Sequence, residues 1–400
     1  MKHKLLYFII ILLIVNLSYL FSKSTEKKNF NLPAEIISTG GVGITSYDKL
    51  GIIFMNPASL GLYDSSTIPV FRFGLKINYD ILELFGIDKI ITGENQNINF
   101  TNLNTLASDL SSKIFKLRGI LGLNTPLMTG YIGHGFGFLI YNTFNLSSIV
   151  NIEPLLPSLD FNILGEFGVL AGFGFQIPLS LNLGKLTKTY GGVVLKYITK
   201  LKYENSRLDI LDGLNILQDI TEIGTLPELY LGQAIGSDLG FLIKFENIFF
   251  GLVIRDWFFT LFTWKELKRI NYSETNFTWE FTTNKITNTY YEPTIDLGIN
   301  YTLPNILSKY LVSNIKFSFD IVNAFDFTEN YFLKLRMGAE LKLFYILILR
   351  SGLYKGYPSF GIGIDLPLIK INLAYYTEEY GIFPGNIPVG NILLDINLMI

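Results

Sequence analysis

The chain has 400 residues, of which 49% are hydrophobic and 15% aromatic but only 16% charged, with a formal net charge of −2; an average soluble chain carries roughly 25% charge. No basic excess points to a nucleic-acid partner. The absence of cysteine excludes disulfides, thiolate metal sites, cysteine nucleophiles and a lipid-modified N-terminal Cys.

At the N-terminus, Lys2, His3 and Lys4 precede a largely apolar stretch from Leu5 to Phe21 and then polar Ser22, Lys23 and Ser24. A basic region followed by a hydrophobic one predicts a signal peptide over 1–24, with an uncleaved anchor as the alternative. After it there is no uninterrupted apolar run of the ~20 residues that a membrane helix needs. Residues 25–67 do not read as a strand. Gly40, Gly41 and Gly43 cluster there, and the apolar Ile52, Ile53, Phe54 and Met55 run into Asn56, Pro57 and Ala58. Glycine permits compact turns and proline stops a strand, so this stretch is expected to form a small hatch or plug.

From 68 to 400 the pattern is period two. Phe71, Phe73, Leu75, Ile77 and Tyr79 alternate with Arg72, Lys76, Asn78 and Asp80. From 333 to 343, Leu333, Leu335, Met337, Ala339, Leu341 and Leu343 alternate with Lys334, Arg336, Glu340 and Lys342. Ile392, Leu394, Ile396, Leu398 and Ile400 share a face against Asp395 and Asn397. One such segment suits a soluble sandwich with a buried apolar face. Their repetition, with no compensating helical layer, predicts an all-β transmembrane antiparallel barrel whose apolar side meets lipid.

Fifteen segments read as strands: 68–80, 119–128, 131–144, 160–177, 188–203, 234–245, 247–258, 273–284, 290–302, 312–323, 330–342, 344–354, 358–366, 368–377 and 389–400. The polar segment 273–284 is the weakest, and bacterial single-chain barrels have even strand numbers, which leaves about 14 strands. Short turns then fall near 129–130, 178–187, 246, 303–311, 343 and 367 on one side. Longer loops, 81–118, 145–159, 204–233, 259–289 and 378–388, fall on the other, together with the short connections 324–329 and 355–357. Leu103, Leu106, Leu110 and Ile114 in 100–117, and Ile210, Leu211, Leu214 and Leu217 in 207–223, predict short amphipathic helices in two of those loops. Trp257, Trp264 and Trp279, with Tyr375, Tyr376 and Tyr380, suit aromatic girdles at the membrane interface or the lining of a pocket.

The glycine cluster, the single acidic Asp48, the apolar run and then NPASLG before the first strand resemble the N-terminal hatch of the FadL-like fatty-acid transporter barrels and their PorV-like relatives. In that pattern Asn56, Pro57 and Ala58 match, whereas Ser59 stands where glycine is usual. GLYKGYPSFGIGIDL and LAYYTEEYGIFPGNIP near the C-terminus look like the ending of such barrels from spirochaetes. The resemblance implies a bacterial outer-membrane barrel, closed by the hatch, that passes hydrophobic small molecules such as long-chain fatty acids and releases them sideways through the wall. Its partners would be outer-membrane lipid and a hydrophobic ligand. The PorV-like alternative is a docking, assembly or structural barrel that engages an exported protein and transports nothing. A general diffusion porin fits less well, because a plug would obstruct its pore.

A ligand carboxylate would pair with an inward cation, for which Arg72, Lys76, Lys334, Arg336 and Arg350 are the candidates. For each, the favoured reading is instead a lumen ion pair with Asp80, Asp296, Asp320, Glu340 or Asp365. No cofactor or enzyme activity is expected. His134 is the one histidine after the leader, too few for a histidine metal site, and no G-x-S-x-G motif marks a nucleophile. His134 therefore reads as a turn or rim residue, and Glu378 and Glu379 as part of a solvated loop.

Overall fold

The computed structural model describes residues 24–25, 32–45, 51–63, 66–78, 123–124, 127–151, 158–178, 187–209, 229–273, 276–303, 312–328, 330–379, 383–385 and 388–399. Within them the strands form one sheet that closes on itself. In chain order, β1 is Pro69–Asn78, β2 is Leu123–Asn124 with Leu127–Gly133, β3 is Phe136–Asn151, β4 is Ser158–Ile177 and β5 is Thr187–Asp209. Next come β6 (Leu229–Phe245), β7 (Ile248–Arg255 with Thr260–Ser273), β8 (Asn276–Tyr291 with Thr294–Leu303) and β9 (Val312–Ile321). The last five are β10 (Leu335–Leu343), β11 (Leu347–Tyr354), β12 (Tyr357–Asp365), β13 (Ile369–Glu379) and β14 (Pro388–Met399). The two pieces of β7 lie end to end along β6, with Ile254 opposite Leu239 and Leu261 opposite Ile235. The two pieces of β8 follow β7 in the same way. Closure is antiparallel: Leu398, Ile396 and Leu394 of β14 face Phe71, Phe73 and Leu75 of β1.

The alternation sorts side chains as a membrane barrel requires. Phe71, Phe173, Phe241, Phe317 and Phe360 are exposed on the outside, whereas Arg72, Asp238, Asp296, Asp320, Arg350 and Asp395 are buried inside. A soluble sheet buries its phenylalanines and exposes its charges. The reverse arrangement is favourable where the outside is lipid, and a closed barrel leaves no unpaired edge there. No helix among the described residues is long and apolar enough to cross a membrane.

The expected fourteen strands are present, but two are assembled differently. Residues 259–289 are no loop: β7 runs on to Ser273 and β8 returns from Asn276, so 273–284 joins 290–302 in a single stave. The turn expected at 129–130 lies at His134 and Gly135, which take φ of 49° and 79°. The loops at 145–159, 204–233 and 378–388 are shorter than expected, because their flanking strands run to Asn151, Asp209 and Glu379. Tyr331–Lys334 is a helical turn, and the alternation from 333 becomes strand only at Leu335. Residues 207–209 belong to β5, and the two expected loop helices otherwise lie outside the described residues, as does the leader up to residue 23.

Residues 32–63 form two short helices, α1 (Ala34–Ser38) and α2 (Ile52–Met55), followed by a 3-10 turn, Pro57–Leu62. Pro57 opens that turn, and Asn56 accepts the Ala58 N–H at 3.0 Å on its side-chain oxygen. The segment packs on glycines of nine strands: Gly137, Gly172, Gly192, Gly240, Gly251, Gly298, Gly338, Gly352 and Gly361. Only a segment inside the barrel can touch so many staves. The approach is closest at Gly240 and Gly338, where a Cβ would run into Asn56 and the Thr39 carbonyl oxygen.

Candidate functional site

Hydrogen bonds tie the internal segment to the wall at several points. On one half of the barrel, Asp395 Oδ2 accepts the Ala34 N–H and Arg72 Nη2, each at 2.6 Å. Asp320 Oδ2 accepts the N–H groups of Gly43 and Ile44 at 2.7 and 3.1 Å. Ser359 Oγ accepts the Gly40 N–H at 3.1 Å. On the other half, Arg255 donates to the carbonyls of Phe54 and Met55 at 2.6 and 3.0 Å and pairs with Asp296. Asn56 Nδ2 donates to the carbonyls of Ile44 and Phe241 at 2.8 and 3.2 Å. The hatch motif residues from the sequence thus sit at these seams: Gly40 and Gly43 donate to the wall, Gly40 and Gly41 take φ of 73° and 79°, and Asn56, Pro57 and Ala58 abut β5 and β6.

A cavity of about 100 Å³ lies between this segment and staves β1 to β8. Leu32, Ile53, Phe54, Met128, Leu170 and Ile198 give it apolar walls. Tyr141, Glu166, Lys196, Asp238, Arg255 and Asp256 give it a polar end. Lys196 Nζ bridges Asp238 and Asp256 at 2.6 Å each. Tyr141 donates to Glu166 Oε1 at 2.7 Å, and Lys200 lies 3.7 Å from Glu166 Oε2. Lys200 also sits over the rings of Phe262 and Tyr291, at 5.2 and 4.8 Å, where a buried ammonium gains from the ring quadrupoles. Asp256 reaches the cavity because β7 breaks after Arg255. Asp256 and Phe259 take φ of 52° and 58°, and the Phe259 N–H donates to the Asp256 carbonyl at 2.7 Å. That turn aims Asp256 inward and leaves Phe258 exposed on the outside.

Of the five cations singled out in the sequence, only Arg72 lines this cavity, and it is held by Asp395. Lys76 pairs with Glu378 at 2.7 Å, which makes Glu378 a wall residue and not part of a solvated loop. Arg350 pairs with Glu340 at 2.7 Å beside a second, strongly polar cavity of about 50 Å³ that Lys342, Asp365 and Lys370 also line. Arg336 donates to the carbonyls of Leu333 and Leu335 at 2.6 and 3.0 Å and lies 4.8 Å from the Tyr354 ring. Lys334 is buried with its ammonium 5.3 Å from the Tyr331 ring and no hydrogen-bond acceptor. The candidates are therefore spread around the wall and form no common clamp.

Sequence reasoning missed Lys196, Asp238 and Asp256 as a group. Their signal was the alternation itself, which puts Lys196 in phase with Val194 and Ile198 on the inner face of β5. The aromatics divide between the two alternatives left open by the sequence. Trp264 and Tyr376 are buried and face inward, whereas Tyr375 is exposed as a girdle residue would be. No three His, Cys, Asp or Glu side chains among the described residues converge as a metal site.

No protein-family model matches the sequence. No curated protein is significantly similar to it. Among solved structures the chain is similar to the toluene transporter TbuX of Ralstonia pickettii, at 10% identity over 95% of this chain and 99% of that one, with a TM-score of 0.47. It is also similar to the monoaromatic hydrocarbon channel CymD (11% identity, 93% and 98% covered, TM-score 0.44) and to the toluene transporter TodX of Pseudomonas putida (11%, 94% and 98%, 0.43). At these values the likeness is one of outline. The strand pairing itself shows the expected closed barrel of fourteen antiparallel staves.

Proposed function

We propose that this barrel passes compact hydrophobic molecules across a bacterial outer membrane, with residues 32–63 as the hatch that must shift to let them through. The observation that carries this reading is the partly apolar cavity of about 100 Å³ seated directly on that segment. Its volume is of the order known to hold a single aromatic ring in an apolar protein cavity. A long acyl chain would need several times that space. A carboxylate would also find no idle cation here, since Arg72, Lys196 and Arg255 are each bound to aspartate. Both points favour a small ligand over the long-chain fatty acids expected from the resemblance. The polar cavity around Arg350 and Lys370 suits a wet route on the short-turn side, and the exposed phenylalanines suit outer-membrane lipid as the surrounding medium.

The test is uptake of labelled toluene and of a labelled long-chain fatty acid into liposomes holding the full chain, beside a variant lacking residues 32–63. Faster toluene entry than in empty liposomes, altered by removing the segment, is the expected result. A folded barrel that accelerates neither compound would overturn the reading and favour the docking role.

A further inference from the structure

The ion pair between Arg72 and Asp395 uses one prong of each partner. Asp395 Oδ2 accepts Arg72 Nη2 and the Ala34 N–H, each at 2.6 Å. Arg72 Nε and Asp395 Oδ1, the atoms that the second prong of a forked pair would join, are buried and have no hydrogen-bond partner. Asn397 lies directly opposite Arg72 where β14 meets β1, and neither its Oδ1 nor its Nδ2 has a partner. Three neighbouring side chains, none more than 2% exposed, thus hold two donor groups and two acceptor oxygens that nothing satisfies. Arg72 lines the larger cavity together with Leu32 and Pro33, the residues just before Ala34, so this cluster stands at the edge of that space.

Buried polar atoms without partners are costly, and a ligand that brings the missing partners removes that cost. We propose that this edge of the cavity takes the neutral polar head of a compact apolar ligand, one that both donates and accepts a hydrogen bond, as a hydroxyl or a primary amide does. The head accepts from Arg72 Nε and donates to Asp395 Oδ1, and Asn397 offers a second donor and acceptor beside them. Leu32, Ile53, Phe54 and Met128 take the hydrocarbon body. Because Asp395 already neutralises Arg72, the head needs no charge of its own. A pure hydrocarbon satisfies none of the four atoms, and an ether satisfies only donors. This rests on the transport reading above and names the polar group of its ligand.

Three probes built on one ring separate the cases: toluene with no polar atom, anisole with an acceptor alone and benzyl alcohol with a donor and an acceptor. Their binding to the full chain is measured by isothermal titration at neutral pH against a micelle-only blank. Benzyl alcohol is expected to bind at least about tenfold more tightly than toluene, as two net hydrogen bonds allow, with anisole between them. Replacing the pair together, Arg72→Met with Asp395→Leu, removes both free prongs and should abolish the preference while toluene binding persists. Asn397→Leu strands no partner and should lower the preference at least about threefold. Equal binding of toluene and benzyl alcohol, or a preference unchanged in either variant, overturns this inference and leaves the transport reading standing. Failure of all three to bind a folded barrel removes the cavity as a ligand site, and both fall. Should the double variant not fold, as judged by heat-modifiable mobility, Asn397→Leu and the order of the probes on the unaltered chain decide.

Discussion

The two halves of the barrel hold the same internal segment by different physics. On staves β9 to β14, Asp320, Ser359 and Asp395 accept four backbone N–H groups of residues 34–44, beside an apolar layer of Ile36 and Ile37 with Tyr354, Ala374 and Tyr376. On staves β3 to β8 the wall donates instead, from Arg255 to the Phe54 and Met55 carbonyls, and most of the remaining contact is steric and apolar. There Ile53 and Leu60 lie on Gly137 and Gly172, Pro57 lies on Gly192, and the cavity opens between segment and wall. Hydrogen bonds to a buried carboxylate are directional and fail abruptly, whereas apolar contacts slide. The contrast makes β9 to β14 the anchored side and β3 to β8, where the cavity lies, the side that yields.

Breaking the anchored side should have the largest effect. Asp395→Leu leaves the Arg72 guanidinium buried without its carboxylate and the Ala34 N–H without its acceptor. The expected loss is about 3–5 kcal/mol in reversible urea unfolding. Adding Arg72→Met should restore much of it, because the orphaned charge is then gone. If the double variant is as unstable as the single one, the anchor is not this ion pair.

On the yielding side, Gly192→Leu drives a side chain into Pro57. Overpacking of this kind costs about 1–3 kcal/mol. The barrel should still form, but the 3-10 turn should be displaced and residues 57–62 should become open to protease in liposomes. A closed, protected turn in that variant would count against the contrast. Smaller still, Tyr141→Phe removes one hydrogen bond to Glu166 at the cavity, worth about 0.5–1.5 kcal/mol, and should alter ligand affinity more than unfolding. Last, Lys342→Ala deletes a partly exposed pair with Asp365 outside either contact zone, and should change stability by less than about 1 kcal/mol.

How much of this was legible in the sequence follows from where each residue sits. In the lipid band one face must be apolar and the other polar, so β1, β10 and β14 announce themselves by period two. The hairpin from Thr260 to Tyr291 hides because Thr and Asn recur along it, as in 282–289, and period two then carries no contrast. The strand count survived this because 273–284 continues a stave already counted. The site was less legible. Which cation meets which acid depends on register across staves: Arg72 finds Asp395, 323 residues away, which was not among the acids expected as partners. Lys196 and Asp238 are neighbours across β5 and β6, but Asp256 joins them only through a break in β7 that no pattern of apolar residues marks.

Asp395 lies on the last stave, and its two donors lie on the first stave and in the internal segment. One oxygen thus receives a bond that exists only when the cylinder has zipped shut and another that exists only when the N-terminal segment is in place. Seaming the barrel and seating that segment are therefore coupled events. A chain whose final strand is missing loses the Ala34 latch along with its seam, so an unfinished barrel also leaves its internal segment unlatched.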